Sequence, residues 1–189
     1  MEYKLYHYNM DDFNDIGFGC SYRNLQTILS CYKNYYDDIE IPNIKDILYY
    51  FKPAYEYYIN TNNHTELWIE PYQISQYLQQ YNINALNLLY LNDENDVQKI
   101  LKTDLDIYDK ATYNKNNFNS LLNIINYHFL NSHLPIVIDD GIYSYCICKK
   151  NSDYILISDP HIMSGENTYE KPISFLSGRT WMIYIPVNY

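Results

Sequence analysis

Positive charge is scarce in this chain: 13 lysines and arginines stand against 23 aspartates and glutamates, a formal net charge of -10 over 189 residues. A surface of that sign repels phosphate backbones and anionic lipid head groups, which makes nucleic acid and membranes poor partners and a basic protein surface a good one. Long apolar runs are missing as well, and nothing approaches the roughly 20 residues needed to cross a bilayer. The opening Met1-Glu2-Tyr3-Lys4-Leu5 lacks the zones of a secretory leader, so cytoplasmic residence is the expectation. Cysteine is confined to Cys20, Cys31, Cys146 and Cys148. These are too few and too irregularly spaced to staple a domain of this length, and free thiols are expected. What the chain has in excess is tyrosine, 25 residues. Without cations interleaved they do not form a base-stacking platform, and with the abundant asparagine and isoleucine they read as the drift of an A+T-rich genome.

A chain of this size can bury roughly 70% of its unfolded surface in one domain. No repeat, linker or low-complexity block divides it, so a single domain over 1–189 is expected, acting as a monomer. Tyr3 to Tyr8 alternates weakly, like a short strand, and the Asp-, Asn- and Gly-rich stretch from Asn9 to Gly19 reads as a loop. From Ser21 the spacing of Tyr22, Leu25, Gln26 and Leu29 predicts an amphipathic helix to about Tyr32, with Cys20 in its first turn. Asn43 is placed to cap a helix over 44–50 that must stop near Lys52, because Pro53 restricts the residue before it. Glu70-Pro71 opens another, with Ile74, Tyr77, Leu78 and Tyr81 on one face. A strand is expected from Ala85 to Leu91, and helices from Asp93 to Leu101 and from Asn117 to Asn131, with a polar, irregular stretch over 103–116. The last third turns to short β-rich runs at 135–139, 142–149, 154–159 and 180–185. Helices first and strands later indicate an α+β domain, a helical layer on a mostly antiparallel sheet with a cleft between the layers.

Two segments carry chemistry. In Asp15-Ile16-Gly17-Phe18-Gly19-Cys20 the glycines permit a tight backbone path into a helix, and the cysteine meets the unpaired amides at the helix start. Such positions bring thiols from about 8.5 into the range of roughly 3.5 to 7.5. On this feature alone, a packed structural thiol is an equally good reading. In Tyr154 to His161, a strand ending at Asp159 would set the carboxylate beside the His161 imidazole, with Pro160 stiffening the pair. The imidazole could then take a thiol proton and return it to a leaving amine while Asp159 holds its tautomer. By itself an Asp-Pro-His tripeptide is more often a turn with a solvated histidine. A tyrosine hydroxyl could join the Cys20 amide in stabilising an oxyanion, though nothing local separates Tyr8 from Tyr6 or Tyr3.

Taken jointly, these segments resemble one family. His7-Tyr8-Asn9-Met10-Asp11, followed by Asp15 to Cys20 and Ser21-Tyr22-Arg23-Asn24-Leu25-Gln26-Thr27, is similar to the nucleophile region of the proteases specific for the ubiquitin-fold modifier. Their pattern runs His-Tyr, an acidic loop, then Gly-Trp-Gly-Cys-x-Tyr-Arg-x-Leu-Gln-Thr, with the same step of twelve from tyrosine to cysteine. Trp68-Ile69-Glu70, His128-Phe129, Pro135 to Ile138 and Tyr154 to His161 extend the likeness over most of the chain, weakening from about Asn92 to Asn117. The resemblance implies a papain-like fold with catalytic Cys20, Asp159 and His161. It also implies an oxyanion hole of Tyr8 and the Cys20 backbone amide, and needs no metal or other cofactor. The implied reaction is cleavage after the C-terminal glycine of a ubiquitin-like modifier, the ubiquitin-fold modifier first among them, by precursor maturation or deconjugation from lysine. Autophagy cysteine proteases share the Gly-Trp-Gly-Cys and Asp-Pro-His elements, but Tyr22 to Thr27 fits the ubiquitin-fold modifier branch better. A zinc-finger-bearing ubiquitin-specific relative places its histidine earlier, where this chain has Ile142-Tyr143-Ser144-Tyr145.

There are departures. Phe18 stands where that family has tryptophan, keeping an aromatic wall beside the nucleophile. Asp139-Asp140-Gly141 replaces a Gly-Gly-Gly expected to bind the substrate tail, and Ile162-Met163-Ser164-Gly165 replaces Tyr-Thr-Gly, with only Trp181 left of a tryptophan-rich loop. The catalytic core is therefore retained while the surfaces that choose a modifier differ. The same chemistry on ubiquitin or another modifier, or a module that binds a modifier without cutting it, stays open. Elsewhere, Cys146 and Cys148 share a strand face without further metal ligands, Cys31 reads as packed, and His64, His128 and His133 show no ligand spacing. His7 adjoins Tyr8, and Asp11, Asp12 and Asp15 read as a solvated loop.

Overall fold

The apolar spacing after Cys20 produces helix α1, Cys20–Tyr35, which is buried continuously from Ser21 to Cys31. This is a computed structural model, and it describes residues 2–36, 38–91, 118–163 and 167–187. Helix α2, Ile44–Phe51, starts where the Asn43 side chain accepts hydrogen bonds from the backbone N–H groups of Lys45 and Asp46. A short helix α3, Tyr55–Asn60, follows Pro53 and was not expected from the sequence. Helix α4, Pro71–Leu78, has proline at its start and a reciprocal capping box between Glu70 and Gln73. Helix α5 is Phe118–Asn131.

Six strands, β1 (Asn84–Tyr90), β2 (Ile136–Asp139), β3 (Ser144–Lys150), β4 (Tyr154–Ser158), β5 (Thr168–Pro172) and β6 (Trp181–Val187), form one sheet in the order β1-β6-β2-β3-β4-β5. Every pairing is antiparallel. Val137, Cys146 and Tyr184 face the helices and pack with Leu25, Ile28, Leu29, Ile44 and Ile74. Each fully buried leucine or isoleucine contributes about 1.5–3 kcal/mol. The opposite face, with Ile136, Ile138, Ile147, Ile157 and Ile183, packs against Leu121 and Ile125 of α5 and against Leu176 and Trp181. The single helical layer expected from the sequence is thus complemented by α5 on the far side. Cover on both faces is why β2 is buried at all four positions rather than at alternate ones.

Three expectations change. The segment from Tyr3 to Tyr8 forms no strand, because helix α1 and a sheet loop take its amides instead. Lys4 N–H donates to Ser30 Oγ (2.8 Å), Tyr6 N–H to Thr27 Oγ1 (3.0 Å) and Tyr8 N–H to the Pro160 carbonyl (3.0 Å). The strand expected to run to Asp159 stops at Ser158. Strand β5 was missed altogether. The helix expected over 93–101 and the irregular stretch over 103–116 lie outside the described residues.

Candidate active site

The loop before Cys20 is shaped by a buried ion pair: Asp11 and Asp12 are exposed, as expected of a solvated acidic loop, but Asp15 is fully buried, which corrects that reading for it. Arg23, one turn into α1 and fully buried, donates Nε–H to Asp15 Oδ2 (2.8 Å) and Nη2–H to Asp15 Oδ1 (3.1 Å). It also donates to Asp11 Oδ2 (2.7 Å), to the Gln26 side-chain oxygen (2.9 Å) and to the Met10 carbonyl (2.6 Å). Asp15, also fully buried, accepts from the Asn9 backbone N–H (2.8 Å), while its carbonyl accepts from Gly19 N–H (2.8 Å). Asn9, Asp11 and Asp12 sit in the left-handed region, which asparagine and aspartate tolerate best among residues with a Cβ. Gly17 (φ 91°) needs glycine for its backbone, and Gly19 needs it for space, since a Cβ there would lie 2.0 Å from Asp15 Oδ2. Cys20 emerges from this elbow as the first residue of α1, partly exposed.

His161 arrives from the sheet side. The pairing with Asp159 arises from a turn beyond β4, not from strand alternation: Asp159 Oδ1 accepts from both the backbone N–H (3.0 Å) and the ring Nδ1 (2.6 Å) of His161. Nδ1 being occupied, Nε2 is the ring nitrogen left for the Cys20 thiol, which lines the same cleft and acts on the ring. Burial works against a charged imidazole, but the hydrogen bond its ring gives Asp159, the interaction with Cys20 and the Asp159 charge outweigh it, and its pKa is raised to about 9. Burial likewise opposes the Asp159 carboxylate, yet the bonds from His161 and from the Tyr169 hydroxyl (3.1 Å to Oδ2) leave its pKa lowered. Tyr8 lines the same cleft as the thiol, and its pKa is raised, by burial first and then by Cys20. Its ring meets the imidazole edge-on at 5.1 Å, as does the ring of Tyr143 at 5.1 Å, with Tyr145 at 5.9 Å.

These groups open onto a cleft of about 750 Å³, lined by Phe18, Trp68, Asp139, Gly141, Tyr143 and Met163 among others. Phe18 is buried and packs edge-on against His64 at 5.3 Å, and Trp68 donates its indole N–H to the Gly17 carbonyl (2.9 Å). Of the expected tail-binding residues, Asp139 and Gly141 line the cleft with Phe18. Asp140 is held elsewhere, its Oδ1 accepting from the backbone N–H groups of Ile142 and Tyr143 and its Oδ2 from Arg179 (2.5 Å). Burial raises the Asp139 carboxyl to about 7, against the pull of the Gly141 amide and the Ser144 hydroxyl and with Asp140 adding to the rise.

Cys31, Cys146 and Cys148 are buried free thiols, and among the described residues no cluster could hold a metal ion. His128 contacts the Leu134 carbonyl (2.7 Å), and His133 stacks on Tyr35. His7 contacts the Tyr8 carbonyl (2.8 Å). The sequence reading missed Tyr143 and Tyr145 beside the imidazole and Tyr169 on Asp159; a tyrosine among so many carries no local signal.

A family model described as Peptidase family C78 matches residues 1–178. A probable Ufm1-specific protease from Oryza sativa subsp. japonica is 46% identical over 46 residues, 24% of this chain and 7% of that protein. The crystal structure of UfSP from C. elegans aligns with a TM-score of 0.63 at 21% identity, covering 97% of this chain and 32% of that one. The chain spans about a third of the C. elegans protein and a small part of the rice protein, and at this identity the structural likeness speaks to the fold.

Proposed function

The chain belongs to peptidase family C78, and from that premise we propose that it is a thiol hydrolase cleaving after the C-terminal glycine of the ubiquitin-fold modifier, in a precursor or from a lysine conjugate. The observation that carries this reading is that the Cys20 thiol shares one cleft with a His161 ring held by Asp159 Oδ1. His161, holding its proton up to about pH 9, is the cationic partner that a thiolate requires. The sulfur attacks the carbonyl of the terminal glycine, and the oxyanion receives hydrogen bonds from the Tyr8 hydroxyl and the Cys20 backbone N–H. The imidazolium passes its proton to the departing amine as the C–N bond breaks, leaving a thioester on Cys20. A water molecule, deprotonated by the now neutral His161, then attacks that thioester. Collapse expels the thiolate, which is paired again with the imidazolium, and frees the modifier's carboxylate. Asp159 fixes the imidazole tautomer and stabilises its charged form throughout.

The cleft's apolar wall of Phe18 and Trp68 suits an extended tail, while the folded modifier would dock outside. Asp139, a carboxyl inside that cleft where the family likeness has glycine, favours keeping ubiquitin or another modifier as a second reading of the substrate. Cys20→Ala is expected to abolish turnover of a modifier precursor while leaving binding intact. Unchanged turnover by this variant would refute the assignment. A panel of modifiers carrying C-terminal electrophiles decides between substrates by labelling rate, and absence of labelling by all of them would favour a non-cleaving binding module.

A further inference from the structure

The carboxylate of Asp159 has two oxygens, and the pairing with His161 described above uses one. Oδ1 is taken twice by His161, at 2.6 Å through the ring and 3.0 Å through the backbone N–H. Oδ2 accepts from the Tyr169 hydroxyl at 3.1 Å. Tyr169 belongs to β5, where it stands opposite Ile157 of β4, and Ser158 stands opposite Thr168. Residues paired across strands share a sheet face, and so do residues two apart along a strand, so Tyr169 points to the side on which Asp159 emerges and reaches it diagonally. The pairing continues past the end of β4, because Asp159 N–H donates to the Asn167 carbonyl (2.8 Å). The ring of Tyr169 packs at the margin of the core on this face of the sheet, and Lys171 lies 5.2 Å over its centroid. Burial and the Asp159 charge hold the phenol protonated well beyond neutral pH, which keeps it a donor throughout the working range.

We propose that Tyr169 is a positioning residue of this site: its hydroxyl clamps Asp159 from the side opposite His161, so that the carboxylate cannot rotate and the imidazole is held toward Cys20. A carboxylate bound through one oxygen alone can swing about its Cβ–Cγ bond, and its oxygens then trade places at the imidazole. Bound at both, it presents Oδ1 to Nδ1 in one orientation. Tyr169 touches neither thiol nor imidazole, so its effect passes entirely through Asp159. The inference deepens the hydrolase reading and rests on it.

The test uses the whole chain and a small electrophile, iodoacetamide, with alkylation of Cys20 followed by peptide mass spectrometry from pH 4 to 9. This probe needs no modifier, and peptide mapping separates Cys20 from the buried thiols Cys31, Cys146 and Cys148. In the parent, rapid alkylation at Cys20 that is lost in His161→Ala establishes the paired thiol. Tyr169→Phe keeps the ring and removes only the hydroxyl. It is expected to slow alkylation about tenfold at pH 6, the size of one hydrogen bond to a charged group. It should also move the acid limb upward by about half a pH unit or more, because both the carboxylate and the ion pair it supports become harder to form. Tyr154→Phe, exposed on the neighbouring strand, should change neither. An unaltered rate and pH profile in Tyr169→Phe overturns the proposal, as does a slower rate with no displacement of the limb, which marks a merely structural role. Alkylation of the parent that is indifferent to His161→Ala sinks instead the hydrolase reading beneath it, so the two failures are distinguishable.

Discussion

His161 keeps its proton to about pH 9 because its interactions with Asp159 and Cys20 outweigh its burial. If the imidazolium is the acid that releases the leaving amine, kcat/KM should fall on an alkaline limb near pH 9. A rate profile on a modifier precursor checks this, and a limb near the ordinary histidine value of about 6.5 would contradict it. Asp139 works against the fold. Its carboxyl, raised to about 7 mainly by burial, binds a proton in the folded chain over a range where the unfolded chain, with a carboxyl near about 3.9, does not. Native protein therefore holds the extra proton between those values, and stability declines as pH rises across them. Asp139→Asn, which retains an acceptor for the Gly141 amide, should be more stable than the parent at pH 8 and equal to it near pH 4. Denaturant midpoints of the two proteins at both pH values measure the difference. At this scale the joint pattern was informative where no single motif was: Cys20, Asp159 and His161 were singled out together by their resemblance to one family. Tyr169 did not stand out, because its role depends on a cross-strand diagonal that no local pattern reports.

The elbow that delivers Cys20 depends on what Asp15 and Arg23 do inside it. A methyl group on Gly19 would meet Asp15 Oδ2 at 2.0 Å, so Gly19→Ala must push the carboxylate off Arg23 or displace the start of α1. Arg23→Met removes the cation and leaves Asp15 charged, buried and without its ionic partner, a loss of about 3–5 kcal/mol. Both variants should lower the unfolding midpoint in urea, and Arg23→Lys should recover only part of the loss, because an ammonium cannot span Asp15, Asp11 and the Met10 carbonyl as the planar fork does. Full stability in Arg23→Met would contradict the buried ion-pair account. Elements with a strong period or a cap, such as α1, α2 and α4, were legible in the sequence. The segment from Tyr3 to Tyr8 was not, since its partners are hydroxyls on α1 some 21 to 26 residues away. Strand β5 escaped because five residues, Thr-Tyr-Glu-Lys-Pro, carry little apolar alternation and end in proline.

Across the whole molecule, the proposed reacting groups come from different layers. Cys20 begins a helix on one face of the sheet, while His161 and Asp159 sit on a turn at the end of a strand. Tyr8 belongs to a segment fastened to both, through Tyr6 N–H on Thr27 Oγ1 and its own N–H on the Pro160 carbonyl. That fastening holds the helix tip and the histidine turn at one separation, and it explains why a segment that read as a short strand matters to the site. The α+β class, with most helices before most strands, was readable in advance. The cover of α5 on the second face was not, because a helix's apolar stripe does not say which face of a sheet it will meet. The most direct measurement is labelling of the chain by a ubiquitin-fold modifier whose C-terminal glycine carries an electrophile, read by mass spectrometry. The account predicts one adduct, on Cys20, formed by the parent and lost in both Cys20→Ala and His161→Ala. An adduct on another residue, or full labelling without His161, would contradict it.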